Sequence, residues 1–274
     1  MSDKWKYVYF VSKSNTMMKN FFFCILCIVV FIGCKTKQQE TVNNRDNNYD
    51  IYLLIGQSNM AGRAPIEKEY TDTLQNVLLY KGIADNKWEK AANPLNKYST
   101  MRKEIGMQRL GPGYSFAKDI SEFFPQRTIA LVVNARGGTS IQEWRPGDSL
   151  YIEALNRAKE ASQYGKIRGI LWHQGEANAK NADWYTDSLA YFIKTLRSDL
   201  KDPEIPFVAG QIYPRSESYA KFNEMLLNIP SIIPYSAVVS SDSTSSFDNL
   251  HFDAESQNLM GKRYAEAMYK LLRK

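Results

Sequence analysis

The chain has 274 residues, of which 44% are hydrophobic, 23% charged and 13% aromatic, and this composition excludes a disordered chain and a polytopic membrane protein. Its formal net charge is +6, but residues 1–48 carry seven Lys or Arg and three acidic residues, so +4 of that charge lies there. Because residues 49–274 are close to neutral, the charge does not support a nucleic-acid partner, and none is predicted.

The N-terminal region has the pattern of an export signal. Residues 21–32 form an uninterrupted apolar run, which Lys19 precedes and Gly33-Cys34 follows. This run is shorter than the roughly 20 residues that a membrane-spanning helix needs, and it is typical of the apolar core of a secretory signal. The segment FIGC resembles the lipobox of bacterial lipoprotein precursors, which predicts a lipid on Cys34 and an exported protein anchored in the bacterial cell envelope. An uncleaved anchor or a chance apolar run is the alternative interpretation.

These features predict three segments. Residues 1–34 are a lipoprotein-type signal peptide whose start is over-extended if translation begins at Met17 or Met18. Residues 35–48 are a polar, flexible tether, and residues 49–274 are one folded domain. All three cysteines lie at positions 24, 27 and 34, so the folded domain has neither a disulfide nor a thiol nucleophile.

From residue 49, short apolar runs alternate with longer amphipathic stretches, which is typical of an α/β domain with a mainly parallel sheet. Strands are predicted at residues 51–55, 128–133, 169–172, 207–211 and 237–240. Helices are predicted at residues 114–123, 149–163, 185–200, 217–227 and 254–272. Residues 62–110 interrupt the alternation, with a minor hairpin as one interpretation of residues 78–80 and 88–89. We expect this insertion to lie over the C-terminal ends of the strands, where ligands bind.

A serine follows the first predicted strand, in the turn Gly56-Gln57-Ser58-Asn59-Met60. A hydroxyl at this position is held at the C-terminal edge of the sheet, and Gly56 permits the tight turn. The segment is not the G-x-S-x-G elbow of many serine hydrolases. Taken alone, Ser58 is better interpreted as a turn or helix-cap serine than as a nucleophile.

Only two histidines are present, His173 and His251, and a serine nucleophile usually needs a histidine base. His251 lies three residues after Asp248, close enough for the carboxylate to accept a hydrogen bond from Nδ1 and fix the tautomer. His173 ends the third predicted strand and is interpreted as a buried structural residue. A zinc site built from His173, Glu176, His251 and Asp253 is the weaker alternative because no helical H-E-x-x-H occurs, and no metal or cofactor is predicted.

Two further loops at the same edge carry candidate hydrogen-bond donors. The Gly137-Gly138 pair follows the second strand and offers backbone N–H groups, and Gln174 follows the third strand and offers a side-chain amide. Glu176 is assigned an orienting role, because an unshifted carboxylate is a poor base for a hydroxyl. Each signal has a purely structural alternative. Parallel strands nevertheless bring all of these residues to one edge of the sheet.

The motifs GQSNM, NARGGTSIQEW, WHQGE and DNLHFD, in that order, resemble the SGNH (GDSL-like) hydrolase superfamily. They are most similar to the sialate O-acetylesterase-like carbohydrate esterases, the type called carbohydrate esterase family six, and the resemblance covers about residues 50–272. It implies a three-layer, flavodoxin-like α/β fold with a five-stranded parallel sheet in the order 2-1-3-4-5 and helices on both faces. It also implies a serine esterase that removes O-acetyl groups from a carbohydrate, such as xylan or sialic acid, through an acetyl-enzyme intermediate.

The resemblance assigns roles to residues of this chain. It makes Ser58 the nucleophile, His251 the general base and Asp248 the carboxylate that orients His251. It places the oxyanion donors at the backbone N–H of Ser58, at the backbone N–H of Gly138 or its neighbouring glycine, and at the side-chain amide of Gln174.

Other residues are candidates for binding the substrate. Trp144 is either a platform on which a sugar stacks or a core residue, and Glu176 is a candidate for contacting the sugar. A carboxylated sugar would need a cationic partner, for which the candidates are Arg136, Arg145 and Arg63. Two other functions stay open: a non-catalytic glycan-binding surface lipoprotein, and a lipase or thioesterase of the same superfamily. The charged residues of the insertion favour a polar, sugar-like site over an acyl channel.

Overall fold

The computed structural model describes residues 48–83 and 86–273. Contacts divide the chain into residues 1–43 and 44–274, and the architecture below concerns the second unit. The predicted signal peptide, the lipidation site Cys34 and all of the tether except Asn48 lie outside the described residues, so the lipid anchor and the envelope location stay predictions. In the part of the chain that the structure describes, no helix is long and apolar enough to cross a membrane.

A mixed seven-stranded sheet forms the centre of the fold. Its strands are β1 (Tyr49–Gly56), β2 (Val77–Ile83), β3 (Asn86–Lys90), β4 (Ile129–Ala135), β5 (Gly165–His173), β6 (Phe207–Gly210) and β7 (Ser236–Val239). They lie in the order β3-β2-β4-β1-β5-β6-β7. Strand β3 pairs antiparallel with β2, and the other pairings of the described strands are parallel.

The prediction of a five-stranded parallel sheet is wrong in strand number: the five predicted strands pair in parallel, but the sheet has seven strands and is mixed because the additional strand β3 is antiparallel. The five predicted strands correspond to β1, β4, β5, β6 and β7, and the additional hairpin of β2 and β3 extends the sheet beyond β4. Residues interpreted as a minor hairpin do pair with each other, as Leu78 with Lys90 and Tyr80 with Trp88. Because Leu78 also pairs in parallel with Ala130, this hairpin belongs to the central sheet.

Helices cover both faces of the sheet. They are α1 (Ser58–Ala61), α2 (Gly113–Phe123), α3 (Ser149–Ala161), α4 (Tyr185–Asp199), α5 (Glu217–Leu226), α6 (Ile229–Ile232) and α7 (Ala254–Leu272). Successive residues of a strand point to opposite faces, and β1 contributes to two separate cores accordingly. Ile51 and Leu53 pack with residues of α3, α4 and α5, whereas Tyr52 and Leu54 pack with residues of α2 and α7. The result is a three-layer arrangement with a sheet that is apolar on both sides.

The three central strands end at the same level, and this alignment places the site. Gly56 at the end of β1 lies between Ala135 of β4 and His173 of β5. The φ angle of Gly56 is +132°, and a Cβ atom there would lie 2.2 Å from the carbonyl oxygen of His173. Only glycine allows this close approach. The loops that follow the three strands therefore emerge side by side.

Candidate active site

Ser58, His251 and Asp248 form a chain of hydrogen-bonded side chains at this edge. Ser58 is the first residue of α1, and its Oγ lies 3.0 Å from Nε2 of His251. The Nδ1 atom of His251 lies 2.6 Å from Oδ2 of Asp248. A carboxylate only accepts hydrogen bonds, so Nδ1 carries the proton and Nε2 is free to accept the hydrogen of the serine hydroxyl. The structure therefore brings together the three residues that the sequence singled out for nucleophilic chemistry.

The loop before α7 fixes the carboxylate of Asp248. Its Oδ1 accepts hydrogen bonds from the backbone N–H of Leu250 at 3.0 Å and of His251 at 2.7 Å, so Oδ2 is left for the imidazole. Asn249 has a φ of +62°, a conformation that asparagine tolerates better than most residues. Burial by itself would raise the pKa of Asp248, but the hydrogen bonds from His251 and Leu250 lower it below its ordinary value. The carboxylate is therefore ionised near neutral pH.

Asp253, considered above as a zinc ligand, has a different position. It is the N-cap of α7, and its Oδ1 accepts a hydrogen bond from the backbone N–H of Ser256 at 2.9 Å. Its other carboxylate oxygen accepts the hydroxyl of Ser245. Both carboxylate oxygens of Asp253 are therefore occupied by hydrogen bonds at the start of α7, where the residue acts as a helix cap.

The glycine loop after β4 lies beside the serine. Gly137 and Gly138 both line the pocket that contains Ser58. A Cβ atom on Gly137 would lie 3.3 Å from Cβ of Ser58 and 2.5 Å from Nη2 of Arg63, so a larger residue would crowd the nucleophile. Gly138 has a φ of +77°, which favours glycine, and it faces the amine of Lys103. Both glycines therefore stay candidates for the backbone N–H that meets an oxyanion.

The side chain of Gln174 is not placed as the predicted oxyanion donor. Its side chain is only 1% exposed and does not line the pocket. Its Nε2 donates to the carbonyl oxygen of Thr139 at 3.0 Å and to Oδ1 of Asn178 at 2.8 Å. Both partners are acceptors, which fixes the orientation of the amide. The hydrogens of Nε2 are thus committed inside the protein, and Gln174 supports the glycine loop from behind instead of donating to the oxyanion.

We expect Gln174→Ala to reduce stability more than chemistry. The substitution leaves the buried acceptors Thr139 O and Asn178 Oδ1 without their donor, which costs about 1–3 kcal/mol for a buried polar group. Urea unfolding measures this loss, and kcat with 4-nitrophenyl acetate measures the chemistry. A loss of about 10²-fold in kcat at unchanged stability would restore the oxyanion role.

Trp144 and Arg136 do not reach the site. Trp144 is fully buried, its ring lies 5.2 Å from that of Trp172, and its Nε1 donates to Thr139 Oγ1. Of the two alternatives predicted for Trp144, the core residue is confirmed and the sugar-stacking platform is wrong. Arg136 donates to the carbonyl oxygen of Met101 and is not part of the pocket wall.

The pocket above Ser58 and His251 has a volume of about 370 Å³ and contains an unusual set of charges. Three cationic side chains line it, Arg63, Lys103 and Arg215, whereas Glu176 is the acidic residue of its wall. Arg63 is anchored because its Nη1 donates to the carbonyl oxygens of Gly62 at 2.7 Å and Met107 at 3.1 Å.

Sequence reasoning missed three residues of this wall, Lys103, Arg215 and Tyr219. Arg215 lies over the ring of Tyr219 at 4.4 Å and donates to its hydroxyl at 2.7 Å. The available signal was the position of Arg215 shortly after the end of a predicted strand. Lys103 lies in the irregular insertion and gave no signal of its own.

Glu176 is a buried carboxyl group that faces this pocket. Its Oε1 accepts a hydrogen bond from Nδ2 of Asn59 at 2.5 Å, and its Oε2 has no partner among the described residues. Burial raises the pKa of Glu176 to about 7, although the hydrogen bond from Asn59 and the charge of Arg215 lower it in part. The group can therefore hold its proton near neutral pH.

His173 lies behind Glu176 and away from solvent. Its Nδ1 is 3.0 Å from the hydroxyl of Tyr264, and its Nε2 is 3.8 Å from Oε1 of Glu176. Complete burial lowers the pKa of His173 to about 3, so the ring is neutral. His251, in contrast, lines the pocket beside Ser58.

Comparisons with known proteins agree with the resemblance of the motifs. The family model described as carbohydrate esterase, sialic acid-specific acetylesterase matches residues 48–270. A probable carbohydrate esterase of Arabidopsis thaliana is 32% identical over 238 residues, which cover 79% of this chain and 89% of that protein. The crystal structure of a protein from Arabidopsis thaliana matches with a TM-score of 0.73 at 28% identity, covering 81% of this chain and 98% of that chain.

A second solved structure is that of a carbohydrate acetylesterase from Xanthomonas citri. It matches with a TM-score of 0.59 at 19% identity. The match covers 80% of this chain and 55% of that longer chain, and at this identity it shows the fold alone.

Proposed function

The chain belongs to the carbohydrate esterase, sialic acid-specific acetylesterase family and is a carboxylic ester hydrolase, and from this premise we propose that it removes O-acetyl groups from a carbohydrate by serine catalysis. The resemblance of its motifs to SGNH-type carbohydrate esterases is thereby confirmed. The observation that carries the proposal is the hydrogen-bonded chain Ser58–His251–Asp248, which opens into the pocket. A non-catalytic glycan-binding protein would not need these three hydrogen-bonded side chains.

The proposed reaction has two steps. Ser58 Oγ attacks the acetyl carbonyl carbon while His251 Nε2 takes the hydroxyl proton, and Asp248 stabilises the imidazolium that forms. His251 then gives the proton to the oxygen of the departing sugar, which leaves an acetyl group on Ser58. Water attacks this ester with His251 again as the base, and acetate is released. Rapid acid quenching followed by mass spectrometry of the Ser58 peptide tests for the acetyl-enzyme.

The oxyanion of each step needs N–H donors close to Ser58. The backbone N–H of Ser58 and that of Gly138 are our assignment, with Gly137 as the alternative, because both glycines line the pocket that contains Ser58. Glu176 is assigned to contact a hydroxyl or carboxyl group of the sugar, since the residue lines the same pocket.

We assign a carboxylated sugar, such as O-acetylated sialic acid, ahead of a neutral glycan such as acetylated xylan. Arg63, Lys103 and Arg215 supply three cations around the pocket, and guanidinium groups bind carboxylates with charge-assisted hydrogen bonds. The opposing acid, Glu176, has a pKa raised to about 7, which weakens its repulsion of a substrate carboxylate. An acyl channel for a lipid substrate would not need these charges.

The substrate assignment predicts a selective effect of Arg215→Ala. Arg215 is exposed, so its loss should leave the fold unchanged, but the KM for O-acetylated sialic acid should rise about 10-fold or more. Acetate release from acetylated xylan and from 4-nitrophenyl acetate should change less than about threefold. Arg273→Ala, which removes an exposed arginine at the end of α7, is the matched control. Equal effects on charged and neutral substrates would contradict the assignment.

A further inference from the structure

Asn59, the residue after the nucleophile, is fully buried and contacts both sides of the loop that carries His251. Its Nδ2 lies 3.4 Å from the carbonyl oxygen of Leu250, and its Oδ1 accepts from the backbone N–H of Phe252 at 3.1 Å. These are the residues immediately before and after His251. Gln257 of α7 also donates to Oδ1 at 3.2 Å.

We propose that Asn59 is the positioning residue of this site: its amide fastens the loop that carries His251 to the turn that carries Ser58, and it holds the carboxyl of Glu176 at the pocket wall. The inference rests on the proposed catalytic function of Ser58 and His251. Asn59 contacts no reacting atom and acts through its neighbours.

The loop depends on such a fastening because most of it is solvent-exposed. Phe247, Asp248 and Asn249 are exposed, and Asp248 bonds to His251 within the same loop. That local bond orients the ring but does not set its distance from Ser58. Phe252, which is fully buried, and the contacts of Asn59 connect the loop to the interior.

An amide is the side chain that this position requires. One end must donate to the carboxyl of Glu176 and to a carbonyl oxygen, and the other end must accept from a backbone N–H and from Gln257. Asparagine provides both kinds of atom at fixed geometry. Aspartate has the same shape but only acceptors when ionised. The substitution Asn59→Asp therefore keeps the accepting end of the side chain and removes the donating end.

Asn59→Asp should make activity fall with rising pH. It keeps an acceptor for Phe252 and places a second carboxyl oxygen against Oε1 of Glu176, where the two groups share one proton. Burial and the like charge raise the pKa of this pair, so the contact survives at low pH and is lost when the shared proton leaves. We expect kcat with 4-nitrophenyl acetate to fall about 10-fold or more at alkaline pH, where the wild type keeps its activity.

Among the described residues, the titratable and charged groups next to this carboxyl pair come from β5, α4, α5, α7, the segment before α5 and the loop itself. They are His173, Tyr185, Tyr219, Tyr264, Arg215 and His251. His173 is neutral because burial lowers its pKa to about 3, and burial raises the pKa of Tyr185 and Tyr264. A falling activity between neutral and alkaline pH therefore reports the carboxyl pair.

In the double variant Asn59→Asp with Glu176→Gln, the amide and the carboxyl group exchange positions. The amide introduced at position 176 then donates to the carboxylate introduced at position 59, no proton is shared, and the alkaline fall in kcat should disappear. Glu176→Gln alone completes the double-mutant cycle. Asn223→Asp is the structural control, because Asn223 is a buried asparagine whose amide bonds twice to the backbone of Ile212 and lies outside the site. It should lower the melting temperature and keep the wild-type pH profile.

The outcomes separate this inference from the proposed function. A wild-type pH profile in Asn59→Asp, or an alkaline fall that persists in the double variant, overturns the inference alone. Turnover retained by Ser58→Ala overturns both. Should Asn59→Asp not fold, Asn59→Ser decides instead, since its short hydroxyl cannot bridge Glu176 and Phe252. A fall in kcat of about 10-fold at unchanged KM supports positioning, and an unchanged kcat overturns it.

Discussion

Replacing Ser58 by alanine should abolish ester hydrolysis, with kcat lowered roughly 10⁴- to 10⁶-fold. The hydroxyl that His251 activates is the nucleophile of the first step, and without it no acetyl-enzyme forms. What remains is the catalysis that the oxyanion donors and substrate binding provide without an acetyl-enzyme. Because Ser58 Oγ makes its hydrogen bond to His251 at the pocket, its removal should not unfold the protein.

Acetate release from 4-nitrophenyl acetate, acetylated xylan and O-acetylated sialic acid measures the effect, with thermal unfolding to show that the variant is folded. The matched control is Ser115→Ala. Ser115 is also buried and bonds to Asn258 through its hydroxyl, but it lies in α2, away from the pocket. Turnover by Ser58→Ala above a few per cent of wild type would remove Ser58 from its role. A folded wild type that binds glycan and hydrolyses none of these esters would favour the non-catalytic alternative.

The residues of the hydrogen-bonded chain could be found from the sequence because each depends on short-range rules. Ser58 follows a strand that is apolar at nearly every position, and parallel strands end at one edge of the sheet. Asp248 and His251 are three residues apart in one loop, so their contact does not depend on the rest of the fold. With only two histidines, the choice of base was between one on a buried strand and one in a loop.

The residues that sequence reasoning misassigned depend on contacts between distant segments. The amide of Gln174 turns inward because Thr139 and Asn178 present acceptors to it. The motif WHQGE does not indicate whether this amide points inward or toward the pocket. Trp144 belongs to the core because Trp172 lies against its ring. Motif spacing states which residues are near a strand end, but it does not state which way their side chains point.

The size of the sheet escaped prediction for a similar reason. Val77 to Tyr80 form a short buried run inside an insertion that is otherwise polar, and Lys81 and Gly82 break the pattern at its end. The parallel partner of β2 is β4, which begins about fifty residues later. A run this short forms a strand because it pairs with β4, and the sequence of the run alone does not predict that pairing. Lys103, which lines the pocket, was hidden in the same way because it belongs to the same insertion.

Asp248→Asn should lower kcat about 10⁴-fold while Ser58 and His251 stay in place. The reason lies in the two backbone N–H groups of Leu250 and His251, which both donate to Oδ1. In the variant the amide oxygen takes those two bonds, and the NH₂ group is then directed at Nδ1 of the imidazole. Nδ1 must become the acceptor, so the proton moves to Nε2. In this tautomer His251 cannot accept the hydrogen of the Ser58 hydroxyl.

Nitrogen-15 spectra of the imidazole rings test this argument directly, provided that the protein carries no histidine tag. The chain has two histidines, so His173→Gln, which removes the other ring, assigns the remaining signals to His251. We expect an Nδ1–H tautomer in the wild type and an Nε2–H tautomer in Asp248→Asn, together with the loss of kcat. Asp242→Asn removes one negative charge from an exposed position in the preceding loop and should change neither. An unchanged tautomer with a large loss of kcat would mean that Asp248 acts through its charge on the imidazolium, and an unchanged kcat would remove it from the mechanism.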